Sequence, residues 1–384
     1  MKVALVTLND SADVHQWSGL NYHIARCLER AGATLHRVGP LATRWTLGMR
    51  IRQRWYDSTG RTFHAVLEPA VLDSLGEQAR AQIPTDVEAV VAVTSLIAAA
   101  LGPLDVPLIL WDDATNASMS LYYPDFQRMP AVSVRHSEAM GRRAAESVTL
   151  ALYASEWAAT SAREAYGIPT ERVAVVPFGA NLEHIPDGLS VERSLAERPA
   201  DVCRLLWVGV DWVRKGGPLT LDIAQALHDM GIAVELAIIG CDPGTLPPLP
   251  GWACAEGFIS KRTAAGEARL AHLFARSHFF VMPSSAEAYG LVYAEAAAFG
   301  VPSVAIATGG VSTIILDDET GILVPRGSLA SECATRLADV FRDSARYHAM
   351  ARAARGRAES LLNWDVAGAT AMRLIQEVVH RHAR

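Results

Sequence analysis

The sequence predicts an α/β protein built from two doubly wound, Rossmann-like domains in tandem. The 384 residues are too many for one ordinary hydrophobic core. Short β-branched segments alternate with longer helical patterns in both halves, and a polar stretch without periodicity, residues 183–200, separates them. We therefore expect an N-terminal domain over residues 1–195 and a C-terminal domain over residues 200–362, the two facing a cleft.

The composition is that of a soluble globular protein, since half of the residues are apolar and a fifth are charged. The net charge of −6 gives no general reason to expect a nucleic acid as partner. The five cysteines include no Cys-x-x-Cys pair, a pattern that favours a reducing compartment over a disulfide framework or a zinc site. The first apolar run, MKVALVTL, is too short for a signal peptide, so we expect a cytoplasmic protein.

The predicted strands of the N-terminal half are short runs rich in β-branched residues: 3–7, 34–38, 89–93, 107–111, 148–153 and 173–176. Glycines mark the ends of predicted helices over 19–31 and 156–166. The alternation returns in the C-terminal half, with predicted strands over 204–208, 233–239, 253–256, 278–282, 303–307 and 322–324. Residues 364–384 are predicted to form one amphipathic helix.

The most informative segment is PSSAEAYGLVYAEAAAFGVP, residues 283–302. It predicts a strand end, a loop that contains Glu287, and a helix that begins near Gly290 and contains Glu295. Amides at the start of this helix, near Leu291, suit an anionic or hydroxyl-rich ligand, and two carboxylates beside them can accept hydrogen bonds from sugar hydroxyls. On spacing alone, an acid that stabilises its own helix, together with a surface glutamate, is an equal alternative.

This segment resembles the E-x7-E signature of the retaining GT-B glycosyltransferases called family 4, or group 1. The residues that carry the resemblance are Glu287, Tyr289-Gly290-Leu291, Glu295-Ala296, Gly300-x-Pro302 and Gly309-Gly310. The resemblance is strongest over residues 204–325. It implies the GT-B fold, with an acceptor-binding N-terminal domain and a nucleotide-sugar-binding C-terminal domain. In that fold a C-terminal helix over residues 363–384 crosses back to the first domain.

The same resemblance implies roles for individual residues. It implies that Glu287 contacts the hydroxyls of the transferred sugar and that Glu295 binds the ribose of the nucleotide. Tyr289, Gly290 and Leu291 would then meet the donor, chiefly through the backbone amides that follow Glu287.

A second motif, LWVGVDWVRKGG over residues 206–217, places Arg214 and Lys215 in a turn between a strand that ends at Gly209 and the start of a helix. Cations beside a helix start predict a pyrophosphate site, with a solvated turn as the alternative. Similarity to the family implies that Gly209 and Lys215 serve the donor. The sequence departs from the family at Val210, where the family usually has an arginine, and Arg214 is a candidate to supply that charge.

Three weaker matches complete the predicted site. Ile259 resembles the family segment that meets the nucleotide base, with a plain strand end as the alternative. Ser18-Gly19 opens the first helix, where the family's glycine-rich loop approaches the donor phosphate. Asp113 follows a predicted strand near a position where many family members have a histidine. It predicts a carboxylate that orients an acceptor hydroxyl or stabilises the positive sugar ring, with a helix cap as an equal alternative.

Two further features concern the acceptor. Residues 44–64 interleave arginines with two tryptophans, which can mark a membrane surface or a phosphate-bearing acceptor. A solvated segment that faces the cleft is the alternative. His15 and Asn21 could face the acceptor, with ordinary surface positions as the alternative.

The sequence therefore predicts a retaining transferase that moves a hexose-type sugar from a nucleotide diphosphate donor to a hydroxyl acceptor. A UDP-sugar is favoured over a GDP-sugar, and the acceptor is a small molecule, a glycan or a glycolipid. No Asp-x-Asp occurs, so we expect no metal and no cofactor. Lys215, Arg214 and helix N-termini would then stabilise the leaving diphosphate.

The predicted catalytic residues are Glu287, Lys215, Arg214 and Asp113. Two alternatives stay open: a sugar-nucleotide epimerase of the same fold, and a non-catalytic two-lobed sugar-binding protein. Contact through residues 44–64 would place the protein at the inner face of the membrane.

Overall fold

The structure, a computed structural model, describes residues 1–14 and 16–382, without the side chain of Leu121. His15 and the last two residues of the predicted tail helix lie outside the described residues. The chain divides into two compact units: a first unit of residues 1–177 together with the C-terminal helix, and a second unit of residues 178–363.

The first unit is built on a six-stranded parallel sheet in the order β2-β1-β3-β4-β5-β6. Its strands are β1 (Lys2–Val6), β2 (Thr34–Val38), β3 (Ala89–Val93), β4 (Leu108–Asp112), β5 (Leu150–Tyr153) and β6 (Val173–Val175). Its first eight helices are α1 (Leu20–Arg30), α2 (Leu47–Ser58), α3 (Pro69–Arg80), α4 (Ser95–Leu101), α5 (Asn116–Tyr122), α6 (Pro124–Gln127), α7 (Ala131–Ser147) and α8 (Glu156–Tyr166). Short 3-10 turns lie at Gln16–Gly19, Ala65–Leu67 and Thr170–Arg172.

The second unit contains a second six-stranded parallel sheet, in the order β12-β11-β10-β7-β8-β9. Its strands are β7 (Val202–Val208), β8 (Ala233–Ile239), β9 (Ala253–Gly257), β10 (Phe279–Val281), β11 (Ser303–Ile306) and β12 (Gly321–Val324). Its helices are α9 (Gly188–Glu197), α10 (Gly217–Asp229), α11 (Ala264–Arg276), α12 (Leu291–Ala298), α13 (Val311–Ile314), α14 (Ala330–Arg342) and α15 (Ser344–Ser360), with a 3-10 turn at Pro243–Thr245.

The chain ends in helix α16 (Trp364–His382), which belongs to the first unit. Trp364, at its first residue, stacks on His23 of α1 with 5.7 Å between the ring centroids. The prediction that the tail helix returns to the first domain is therefore confirmed.

Strands β3, β4 and β5 of the first sheet and β10 and β11 of the second are buried along their whole length, which explains why they read as continuous apolar runs. The edge strands β2 and β9 are partly exposed. The predicted strands all occur, each within two residues of its predicted ends. The apolar stretch over residues 89–101 is β3 followed by α4, and Pro218 lies in the first turn of α10, a position that suits proline. The prediction of two doubly wound, Rossmann-like domains is confirmed.

The first unit ends at residue 177 before the chain enters the second unit. The predicted end of the first domain is residue 195, which is 18 residues later. The intervening chain includes α9, whose Val191 and Leu195 are buried. Just beyond α9, the guanidinium of Arg198 donates to the carbonyls of Phe299 and Gly300 at 3.1 and 2.9 Å. These contacts tie the polar segment to the second unit, a packing that its composition does not reveal.

Candidate functional site

Each of the two sheets has one point at which its strand order reverses. The reversal creates a crevice at the carboxyl ends of the strands. In the second unit the change lies between β7 and β10, which pair in parallel from Leu205 and Phe279. In the first unit it lies between β1 and β3. Open α/β sheets bind ligands at such points, so the loops that follow these strands are where a site is expected.

In the second unit, the loop after β7 lies directly against the loop after β10. The amide of Ser285 donates to the carbonyl of Arg214 at 2.9 Å. Gly216 has a φ of +73°, and a Cβ at this position would lie 2.2 Å from the carbonyl oxygen of Pro283. Only glycine permits this approach, which brings Lys215 beside Glu287.

Lys215 and Glu287 form an ion pair in which Nζ donates to Oε2. The two side chains expose only 15% and 10% of their surface. A buried carboxylate is costly unless it is paired or hydrogen-bonded, and the lysine supplies an opposite charge. Two predicted catalytic residues are therefore neighbours, 72 positions apart in sequence.

Glu295 forms a second pair of the same kind. Nζ of Lys261 lies 2.5 Å from Oε1 of Glu295 and 3.1 Å from the carbonyl oxygen of Asn181. The Glu295 side chain is only 5% exposed, so the alternative of a surface glutamate is wrong for this position.

Lys261 was missed by the sequence analysis, although a signal for it exists. The chain has only three lysines, and arginine supplies the remaining basic residues. Two of the three lysines pair with the two glutamates of the E-x7-E motif. Lysine carries a compact charge on a flexible stem. Because it is so rare in this chain, its use at these two positions could have indicated a functional site.

Helix α12 begins beside Glu287. Its N-cap, Gly290, has a φ of +94°, and a Cβ there would lie 2.5 Å from the Tyr293 ring and 3.1 Å from Cγ of Glu287. The amides of Leu291 and Val292 fall in the first turn, where the helix offers them no carbonyl. This geometry suits an anion or a hydroxyl oxygen.

The Tyr289 side chain points into the core of the second unit and not toward a ligand. It is 1% exposed, and its hydroxyl donates to the carbonyl of Phe178 at 2.7 Å. Burial raises the pKa of Tyr289 above its usual range. Any contact of Tyr289 with a donor would therefore use its backbone.

Arg214 lies at the site but is already engaged. Its Nε lies 3.1 Å from Oδ2 of Asp211, and its Nη1 donates to the carbonyl of Ala286 at 3.0 Å. The alternative of a merely solvated turn residue is thus wrong, since the guanidinium holds the loop that carries Glu287. Its predicted role as a substitute for the family's arginine stays a prediction.

The remaining candidates of the second unit lie at neighbouring strand ends. Gly209 follows β7, and its amide donates to the carbonyl of Ile239 at 2.9 Å. Val210, which stands where the family usually has an arginine, is 73% exposed. An apolar side chain therefore faces solvent at this position. Ile259 is half-buried after β9, next to Phe258, which is 69% exposed.

In the first unit, the loop before α1 has an unusual backbone. Trp17, Ser18 and Gly19 have φ values of 50°, 56° and 80°, all in the left-handed region. Three consecutive residues therefore have the left-handed backbone that glycine favours, although only one of them is a glycine. This conformation costs about 1–2 kcal/mol for each of the two non-glycine residues. The predicted donor contact of Ser18 and Gly19 stays a prediction. Asn21 is 1% exposed, so its surface alternative is wrong.

A cavity of about 430 Å³ lies at the strand-order change of the first unit. Its walls come from the loops after β1, β3 and β4 and from the helices α5, α6 and α7. Asp112 forms part of its floor and accepts from the amide and hydroxyl of Ser95 at 2.7 and 2.9 Å. Burial raises the pKa of Asp112, while the hydrogen bonds from Ser95 act in the opposite direction.

Asp113 lines this cavity. The N-cap of the following helix, α5, is Thr115, whose hydroxyl accepts from the amide of Ser118 at 3.1 Å. The alternative of Asp113 as a helix cap is therefore wrong, and its predicted catalytic role stays a prediction.

Thr94 also lines the cavity and was missed by the sequence analysis. It has a φ of 90°, which is a true outlier for a β-branched residue. Its hydroxyl is buried and has no hydrogen-bond partner among the described residues. Strain of this kind, about 1–3 kcal/mol, persists only where the surroundings enforce it, and it is common at functional sites.

Helix α2, within the predicted basic and aromatic segment, exposes an apolar stripe. Leu47, Ile51 and Trp55 are spaced four residues apart and are 75%, 60% and 59% exposed. Arg50 and Arg54 are exposed beside them. In residues 1–14 and 16–382, no helix is long and apolar enough to cross a membrane.

Comparison with known proteins identifies relatives for part of the chain. Residues 206–357, within the second unit, match the family described as "Glycosyl transferases group 1". A D-inositol 3-phosphate glycosyltransferase from Xylanimonas cellulosilytica is 30% identical over 229 residues, which cover 56% of this chain and 54% of the relative. A GDP-mannose-dependent alpha-(1-6)-phosphatidylinositol monomannoside mannosyltransferase from Mycolicibacterium smegmatis is 31% identical over 211 residues, covering 48% and 53%. The chain thus spans about half the length of the curated relatives it matches.

Solved structures share the whole architecture. Sucrose-phosphate synthase from Thermosynechococcus elongatus superimposes with a TM-score of 0.72 at 17% identity, covering 99% of this chain and all of that one. Anabaena HepE in complex with UDP and glucose gives a TM-score of 0.63 at 16% identity, covering 98% and 100%. These similarities confirm the predicted GT-B fold.

Proposed function

We propose that this protein is a glycosyltransferase that moves a hexose-type sugar from a nucleotide diphosphate donor to a hydroxyl acceptor with retention of configuration. The observation that carries the proposal is that a lysine pairs with each of two buried glutamates, Glu287 and Glu295, in the second unit. Both pairs lie within the segment that matches a glycosyltransferase family. The names of the curated relatives agree with this reaction class.

In this proposal Lys215 stabilises the leaving diphosphate. Charge develops on the diphosphate as the sugar bond breaks, so a buried cation acts mainly in the transition state. Glu287, released from Lys215 when the diphosphate arrives, accepts from the sugar hydroxyls. The amides of Gly290 and Leu291 bind the donor beside it.

Glu295 binds the ribose and exchanges its contact with Lys261 for hydroxyl groups. The protein supplies positioning and charge neutralisation, and the donor phosphate helps to deprotonate the acceptor. We propose that no metal is needed, because Lys215, with Arg214 nearby, provides positive charge at the diphosphate. A UDP-sugar is the favoured donor, and a GDP-sugar is the alternative.

A donor panel tests this proposal. The purified chain is incubated with UDP- and GDP-sugars with and without EDTA, and release of the nucleoside diphosphate is measured by chromatography. Release that survives EDTA supports a metal-independent transferase. When a hydroxyl acceptor is added, the anomeric configuration of the glycoside product, determined by NMR, reports retention. Loss of release on chelation, restored by Mg²⁺, would contradict metal independence.

The same panel separates the two alternatives. An epimerase would invert one carbon of the donor's sugar, so the sugar recovered from the reaction would be a stereoisomer of the one supplied. A non-catalytic sugar-binding protein would bind without turnover. Either result would overturn the proposed transfer reaction.

We also propose that helix α2 contacts the surface of an anionic membrane. The exposed stripe of Leu47, Ile51 and Trp55 supplies apolar contact, and Arg50 and Arg54 supply attraction to anionic lipids. Co-sedimentation with phosphatidylglycerol vesicles is expected to exceed that with phosphatidylcholine vesicles. The Ile51→Ser/Trp55→Ser variant is expected to lose binding, and equal sedimentation of variant and parent would contradict the contact.

A further inference from the structure

The cavity of the first unit has a predominantly apolar wall. Trp17, Leu96, Met119, Phe126 and Met140 contribute to it. The volume of about 430 Å³ is within the range for small-molecule sites. Such a wall favours a ligand that carries apolar surface of its own.

A few polar groups converge on the same space. Asn9 lines it from the loop after β1, and Asn116 from the first residue of α5, where its amide also donates to the hydroxyl of Ser137 at 3.0 Å. Asp113 contributes a carboxylate, and Thr94 contributes a buried hydroxyl without a described partner. Amide, carboxylate and hydroxyl groups of this kind recognise ligand hydroxyls.

The cavity has no positive charge on its described walls. No lysine, arginine or histidine occurs among the described lining residues, while Asp112 and Asp113 both do. A phosphate placed here would lose its hydration without gaining a cation, beside carboxylates.

Three basic side chains of the first unit that do not line the cavity have contacts of their own. His64 stacks on Phe126 with 5.0 Å between ring centroids and does not line the cavity, and burial lowers its pKa, which favours the neutral ring. Arg52 lies 2.7 Å from Glu68, and His136 faces the same carboxylate at 3.5 Å. These groups therefore do not offer a phosphate site.

We infer that this cavity binds the acceptor of the transfer reaction, and that the acceptor is an uncharged hydroxyl compound with an apolar portion. This inference rests on the proposed function. The acceptor class differs from the inositol phosphate in the names of the curated relatives.

Matched probes test the acceptor class. Binding of phenyl β-D-glucopyranoside and of its 6-phosphate is measured by calorimetry on the full chain, followed by transfer assays with the same compounds. The neutral probe is expected to bind, and the phosphate is expected to weaken binding by about tenfold or more, the effect of an uncompensated buried charge. Equal or tighter binding of the phosphorylated probe, or no binding of either, would overturn the inference.

A variant that adds a charge tests whether the preference for the neutral probe arises in this cavity. Met119→Lys adds a cation to the wall and is expected to reduce the preference for the neutral probe by about tenfold. Leu189→Lys, at an exposed position of the second unit, is the matched control and is expected to leave the preference unchanged. An unchanged preference in a folded Met119→Lys protein, verified by circular dichroism, would contradict the location.

Failure of this inference is distinguishable from failure of the proposed function. Release of nucleoside diphosphate from the donor in the absence of acceptor does not depend on which acceptor the cavity binds. Donor hydrolysis without binding of the neutral probe would overturn the acceptor class and leave the transferase proposal in place.

Discussion

The strand-order changes of the two units have the same parallel architecture but differ in their charges. In the second unit, the buried carboxylates of Glu287 and Glu295 are each paired with a lysine. In the first unit, Asp112 and Asp113 line an apolar cavity whose described walls carry no cation. The sheets provide equivalent positions for ligands, and the loops decide their chemistry. The difference suggests a charged ligand for one unit and a neutral ligand for the other.

The largest expected effect concerns the cation of the second unit. Lys215→Ala is expected to lower kcat by about 10²–10³-fold, because one transition-state contact in a dry site has this magnitude. Lys2→Ala is the matched control, since Lys2 forms an exposed pair with Asp86, and its kcat is expected to be unchanged. A nearly normal kcat for Lys215→Ala would show that the cation of the second unit does not serve the reaction. The charge difference between the two units would then have no functional meaning.

The next effect concerns Arg214. Arg214→Ala is expected to lower kcat by about 10²-fold, since the guanidinium holds the loop of Glu287 and small displacements of catalytic groups have costs of this size. Asp211→Asn distinguishes two roles. If Arg214 acts only as a tether, Asp211→Asn lowers kcat as well. If Arg214 contacts the diphosphate, loss of its acidic partner preserves kcat or raises it.

A smaller effect concerns the ribose. Glu295→Gln is expected to raise the donor KM by about tenfold, the scale of one or two lost charged hydrogen bonds. Glu192→Gln is the control, because Glu192 forms an exposed pair with Arg352 in the same unit. Calorimetry with UDP measures the affinity directly, and unchanged affinity of Glu295→Gln would show that Glu295 does not bind the nucleotide.

The smallest effect concerns strain at the cavity of the first unit. Thr94→Gly is expected to raise the free energy of unfolding by about 1 kcal/mol, because glycine adopts a φ of 90° without strain. Thr335→Gly, on the exposed face of α14, is expected to lower it by about 1 kcal/mol. Denaturant unfolding measures both. If Thr94→Gly destabilises the protein as Thr335→Gly does, the strain at Thr94 is not real.

Much of the second site could be predicted from the sequence because its residues lie in two short motifs. Lys215 follows its strand within one loop, and Glu287 and Glu295 flank the start of a single helix. Lys261 could not be assigned in the same way, since it lies 34 positions from Glu295 and reaches it only through folding. Its rarity as a lysine was the one local signal.

The cavity of the first unit was much less predictable. Only Asp113 was identified, since the cavity is assembled from side chains of several separate loops and helices. The strain at Thr94 and the left-handed backbone at Trp17 and Ser18 have no signature in residue type, because the residues themselves disfavour these conformations. Tertiary contacts impose them.

The family resemblance implied the return of the last helix to the first unit. The sequence by itself determined the two parallel sheets, the extent of the last helix and the positions of both motif glutamates. These features depend on local periodicity and on glycine or proline at fixed positions, which act over a few residues. The tertiary structure decided that α9 belongs to the second unit, that each glutamate is buried against a lysine, and that the first unit has a cavity without a described cation. These features depend on which loops meet at a strand-order change, and that is settled by long-range packing of the sheets.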